Sequence, residues 1–206
     1  AQKREVPQGM VAPLIMGVDI ARHGEDQTVI RFRRGLDART IPPLKLRIPD
    51  LMQLASRIME QVNEHKPDAV FVDGTGLGWG VVDRMKQLKC DVVEGIDFGG
   101  KADRTDGAEA DVSYANKRAE MWGFMRDWAK VGCLPEGRDL AADLVGVQYG
   151  YNAANEILLE KKDDMRKRGL ASPYDGDALA LTFARPVGAV KAPAPKRRPV
   201  GSWMAA

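Results

Sequence analysis

Between residues 50 and 96 short apolar runs alternate with amphipathic helical stretches, and this order narrows the possible folds more than any other feature. Asp50 precedes a stretch in which Leu51, Leu54, Ala55, Ile58, Met59 and Val62 share one helical face, with Gln53 in the capping-box position. Lys66-Pro67 ends that helix, and Ala69-Val70-Phe71-Val72 reads as a strand. A helix is expected from about Trp79 to Leu88 and a strand from about Asp91 to Ile96. Strands joined by helices indicate parallel pairing with helices packed on the sheet. Ahead of them, Leu14 to Ile20 and Thr28 to Phe32 predict a hairpin, and Leu44 to Ile48 a third extended piece. The expected class is therefore α/β, with a central mixed sheet flanked by helices.

Residues 97–111 are too polar to pack and read as a functional loop lying over the sheet edge. Ala115, Ala119, Trp122, Met125 and Ala129 then mark a second periodic helix, followed by a shorter helical piece from Arg138 to Val145. A hairpin through Tyr149-Gly150-Tyr151 and Ile157-Leu158-Leu159, a charged helical turn from Lys161 to Arg168, and a final helix after Ser172-Pro173 complete the pattern. The chain divides into a linker remnant over 1–12, one domain over 13–186, and a basic Pro/Ala-rich tail over 187–206 that is expected to be disordered.

At 206 residues and 44% hydrophobic content the chain can bury one good core, which excludes a disordered chain and a disulfide scaffold. Its apolar runs fall far short of the ~20 residues that span a bilayer, and Ala1 to Gly9 is polar, without the apolar core of a signal peptide. Cys90 and Cys133 are far apart in apolar surroundings, as expected of reduced, buried residues in an intracellular compartment. The net charge of +2 is a property of the tail. Lys191, Lys196, Arg197 and Arg198 lie there with no acid, leaving 27 basic against 29 acidic residues, or −2, elsewhere. Global charge therefore does not argue for DNA binding.

His23 and His65 are the only histidines, neither at metal-ligand spacing, and no Gly-x-Ser-x-Gly elbow or phosphate-binding P-loop is present. What remains is a set of acids. Asp19 is the one charge inside the first strand, Asp73 ends a later strand before Gly74-Thr75-Gly76-Leu77-Gly78, and Asp177 begins the last helix close to Asp175. A carboxylate taken out of water needs a partner or a metal. Three converging on one end of the sheet would repel one another unless divalent cations neutralised them, and oxygen ligands select Mg²⁺ or Mn²⁺. The expectation is one cation cage at the sheet's rim. Taken singly, each acid could instead close a turn or cap a helix.

The ordered set Gly17-Val18-Asp19 with Gly24-Glu25-Asp26, Val72 to Gly78, Asn116 to Trp122, Leu158 to Lys162, Arg168-Gly169-Leu170 and Ser172 to Ala180 resembles the C-terminal nuclease domain of tailed-phage large terminase subunits. The resemblance runs from about Leu14 to Ala184. It implies an RNase H-like fold and a two-metal endonuclease, using Mg²⁺ or Mn²⁺, that cuts concatemeric double-stranded viral DNA during packaging in the host cytoplasm. It makes Asp19, Asp73 and Asp177 the catalytic, metal-binding acids, with Asp175 and Asp26 as further candidate ligands; Gly176 between two aspartates departs from the commonest final motif. By family, an ATPase motor domain precedes this one, and the portal and small terminase subunit are partners; no membrane is implied.

Phosphate contacts to DNA are expected from Lys101, Arg104, Lys117, Arg118, Lys161 and Lys162. Rival readings are a Holliday-junction-resolvase-like nuclease and a non-catalytic DNA-docking module. A two-lobed actin or sugar-kinase fold would need a longer chain.

Overall fold

The computed structural model describes residues 1–7, 9, 11–21, 27–103 and 112–188. A five-stranded sheet is built from β1 (Leu14–Asp19), β2 (Thr28–Arg34), β3 (Leu44–Leu46), β4 (Ala69–Asp73) and β5 (Val93–Ile96) in the order β3-β2-β1-β4-β5. β1 pairs antiparallel with β2 and parallel with β4, which is parallel to β5, so the expected mixed sheet is present. Helices α1 (Leu51–His65) and α2 (Gly78–Gln87) cover one face, and α3 (Lys117–Ala129) and α6 (Tyr174–Leu181) the other. Between these last two lie α4 (Arg138–Gly146), the hairpin β6 (Tyr149–Tyr151) and β7 (Ile157–Leu159), and α5 (Lys162–Lys167).

Local signals explain most boundaries. The Asp50 side chain accepts from Met52 N at 2.8 Å and Gln53 N at 2.9 Å, capping α1, and Lys66 closes it in the left-handed region at φ 50. Asn116 caps α3 through Ala119 N at 2.9 Å, so this helix begins after Ala115 rather than with it.

Every residue of β1 and β4 is buried, as in strands covered on both faces. Side-chain alternation then sorts them. Leu14, Met16, Val18, Val70 and Val72 join the core under α1 and α2, whereas Ile15, Ala69 and Phe71 join the core under α3 and α6. By the same parity Gly17, Asp19 and Asp73 belong to the α3/α6 face. Asp19 and Asp73 each come one residue after the paired Val18 and Val72, so they end neighbouring strands at one level.

Gly17 is what lets α6 come down onto that face, since a Cβ there would lie 2.1 Å from Ala178 O and 3.0 Å from Leu181 Cβ. Gly17→Ala is therefore expected to lift α6 from β1 and cost about 1–3 kcal/mol, read as a fall of several degrees in the circular-dichroism melting temperature.

Within the segment read as a linker remnant, Arg4 Nη1 donates to Ala129 O and Gly132 O, both at 2.9 Å, and Leu134 N donates to Ala1 O at 3.4 Å. The expected disordered tail, from 189 on, and the 104–111 part of the polar loop lie outside the described residues. Cys90 and Cys133 are free and buried, as expected, and among the described residues no helix is long and apolar enough to cross a membrane.

Candidate metal centre

Asp19 at the end of β1, Asp73 at the end of β4 and Asp177 in the first turn of α6 are all buried, and α6 packs directly on β1. Neither oxygen of Asp19 has a hydrogen-bond partner. Asp73 Oδ1 accepts from Thr75 N at 2.9 Å, which fixes the turn after β4. Asp177 Oδ1 accepts from Arg118 Nε and from Trp122 Nε1, both at 2.8 Å. The Lys162 ammonium stands 3.0 Å from Asp177 Oδ2 and 3.7 Å from Asp19 Oδ1.

The electrostatics divide the three acids. Burial pushes the Asp19 carboxyl well above its ordinary range; Lys162 opposes this, and the charges of Asp177 and Asp73 add to it. Burial also raises Asp73. Asp177 is held below the ordinary range because Arg118 and Lys162 outweigh its burial. Burial pulls Lys162 down, but Asp177 and Asp19 more than compensate and it is raised. Lys162 and Arg118 are thus too little positive charge for three carboxylates.

Among the described residues no three Asp, Glu, His or Cys side chains are close enough to hold one ion, which corrects the expectation of a single cage. The donor chemistry nevertheless suits hard divalent ions. Mg²⁺ is commonly held by one or two carboxylates and completes its shell with water and phosphate oxygens. Asp19 has two unpartnered oxygens and lies within reach of the charges of Asp177 and Asp73, so it fits that role.

Four further expectations fare differently. Asp175 is removed from the candidate ligands: its Oδ1 accepts from Arg31 at 3.0 and 2.7 Å and its Oδ2 pairs with Lys45 at 2.7 Å. Lys117 is buried between Glu120 at 2.6 Å and Asp103 at 3.0 Å, so it is no DNA contact as placed. Arg118 is likewise turned inward, to Asp177 and, through Nη1 at 3.2 Å, to Glu160 O. Lys162 belongs to the carboxylate centre instead of the surface, while Lys101 and Lys161 are exposed. Arg104 and Asp26 lie outside the described residues.

The sequence reading missed Trp122 as a site residue and Lys162 as its internal cation. Their signals were available: an indole N–H four residues after Arg118 on one helical face, and the need of buried carboxylates for a positive partner.

Asp143 braces the same corner, its Oδ2 accepting from Gly176 N at 3.0 Å. Burial pushes it up to about 6, with the charge of Asp175 adding to the rise. A carboxyl raised on folding stabilises below its unfolded pKa and loses that contribution as pH climbs through the folded value. Asp143→Asn keeps an acceptor for Gly176 without the charge. Its melting temperature relative to the native chain is expected to rise between pH 4.5 and pH 7, as measured by thermal melts across that range.

No protein-family model matches the chain, and no curated protein sequence matches it significantly. Solved structures do resemble it. The nuclease domain of the large terminase subunit gp2 of bacterial virus Sf6 superposes with a TM-score of 0.73 at 19% identity, over 85% of this chain and 89% of that one. A mutant of that Sf6 domain with calcium gives 0.74 at 18% identity, over 86% and 92%. The large terminase nuclease of thermophilic phage G20c with bound magnesium gives 0.59 at 10% identity, over 84% and 82%. By strand order, helix placement and these likenesses, the chain has an RNase H-like α/β fold, that of the nuclease domains of phage large terminase subunits.

Proposed function

We propose that this domain is a divalent-metal-dependent endonuclease that cuts double-stranded viral DNA concatemers during genome packaging. One observation carries the reading: Asp19, wholly buried at the end of the central strand, has two oxygens without hydrogen-bond partners and feels the charges of two further buried acids, Asp177 and Asp73. The neighbours in fold are nuclease domains, and some were solved with manganese, calcium or magnesium.

Asp19, Asp73 and Asp177 would hold the divalent ions, Mg²⁺ or Mn²⁺. When bound, such ions supply an activated water and offset charge on the departing 3′ oxygen. The protein's part is positional. Asp19 sits on the central strand of the sheet, Thr75 N holds the Asp73 carboxylate, and Arg118 and Trp122 hold Asp177. Lys162 keeps the acids partly neutralised before any ion arrives. Exposed Lys101 and Lys161 would grip phosphates irrespective of sequence. Resemblance further suggests a preceding ATPase motor, with the portal and small terminase subunit as partners, in the host cytoplasm.

Supercoiled plasmid tests this directly. Nicking and linearisation are expected with Mn²⁺ or Mg²⁺, to be absent with chelator, and to be lost in Asp73→Asn. Cutting that persists with chelator or in that variant overturns the reading. In DNA-binding titrations, Lys161→Ala should weaken affinity about equally for unrelated sequences and reduce the salt slope by about one.

A further inference from the structure

The oxygens of Asp177 are treated unequally. Oδ1 receives two N–H donors, from the Trp122 indole and the Arg118 guanidinium, each at 2.8 Å, which uses both of its lone pairs. Oδ2 faces only the Lys162 ammonium. Two donors on one oxygen fix the rotation of a carboxylate, whereas one donor leaves it free to swing about that bond.

Three features suggest that the indole's place in this clamp is built in. Arg118 and Trp122 lie four residues apart on α3, on the face turned to α6, with the guanidinium 5.8 Å from the indole centroid. Gly176, directly before Asp177, is the one residue type that admits the ring: a Cβ there would lie 2.7 Å from Trp122 Cη2. The glycine between the two aspartates, which departs from the commonest motif, thus has a steric reason. Finally, Trp122 also lines a cavity of about 310 Å³ with Met125, Leu144 and Leu159. An indole donates only and stays neutral at every pH. It can orient Asp177 without adding to the cationic charge already present.

We propose that Trp122 is a positioning residue of the metal centre, holding Asp177 by Oδ1 so that Oδ2 alone is presented to the cation. The proposal rests on the metal-dependent reading above. Loss of an outer partner of this kind lowers metal affinity about 10–100-fold.

The test uses the full chain labelled with ¹⁵N at its four tryptophans. The Trp122 indole N–H signal is assigned by elimination from Trp79→Phe, Trp128→Phe and Trp203→Phe spectra, so it does not depend on Trp122→Phe folding. Mn²⁺ is then titrated while melting temperature is followed in parallel. The expected result is broadening of the Trp122 signal over the Mn²⁺ range that raises the melting temperature. In Trp122→Phe the Mn²⁺ midpoint should move up at least tenfold.

If Mn²⁺ raises the melting temperature through Asp19 but leaves the Trp122 signal sharp, the positioning role is overturned and the nuclease reading stands. The positioning role is equally overturned if Trp122→Phe lowers stability by the same amount with and without Mn²⁺, as a purely packing residue would. If Mn²⁺ leaves the native chain's melting temperature unchanged, the metal reading falls and this proposal with it.

Discussion

Asp19→Asn is expected to reduce metal-dependent DNA cleavage by at least about 10²–10³-fold, the scale of removing a group that organises transition-state charge. The same substitution should make the metal-free chain more stable at neutral pH. Asp19 has no hydrogen-bond partner, and burial holds its carboxyl well above the ordinary range. A raised acid stabilises below its unfolded pKa and loses that contribution as pH rises through the folded value. Asn carries no such penalty, so its advantage over Asp should grow with pH in chelator and shrink or reverse in Mn²⁺. Plasmid nicking and paired melts, with and without Mn²⁺, check both halves. A variant that loses activity and stability together would mean that Asp19 is structural.

Lys162→Ala should give the opposite stability pattern. Its ammonium lies 3.0 Å from Asp177 Oδ2 and 3.7 Å from Asp19 Oδ1, with 27% of the side chain exposed. Breaking a buried pair costs about 3–5 kcal/mol, and this partial exposure places the cost toward the lower end. For a domain of this size that is a fall of several degrees in chelator, at about 2–4 °C per kcal/mol. With the competing cation gone, divalent ions should bind about tenfold more tightly and recover most of the loss through linkage. Melts over a Mn²⁺ series read both effects. An unchanged Mn²⁺ midpoint would mean that Lys162 and the ion do not compete for the same oxygens.

Much of the site was readable because strand parity is a local property. Gly17 and Asp19 share a face by alternation, and an apolar strand ending in Asp stands out in any sequence. Asp175 was a further candidate ligand by motif position alone; residues two apart on a helix face different ways. Asp177 turns to Lys162, and Asp175 to Arg31 and Lys45. Lys117 is a similar case. Glu120 is three residues on, an ordinary helical pairing, and burial of that pair removed Lys117 from the DNA-facing set.

The amino-acid order by itself determined the alternation of strands and helices and the end of the sheet at which the acids gather. Those follow from backbone preference and side-chain period, which act over a few residues. Only the folded chain decided which cations meet which carboxylates, because Arg118, Lys162 and Asp177 come from three different helices. Their pairing depends on how those helices pack across the sheet, over separations at which no local rule operates.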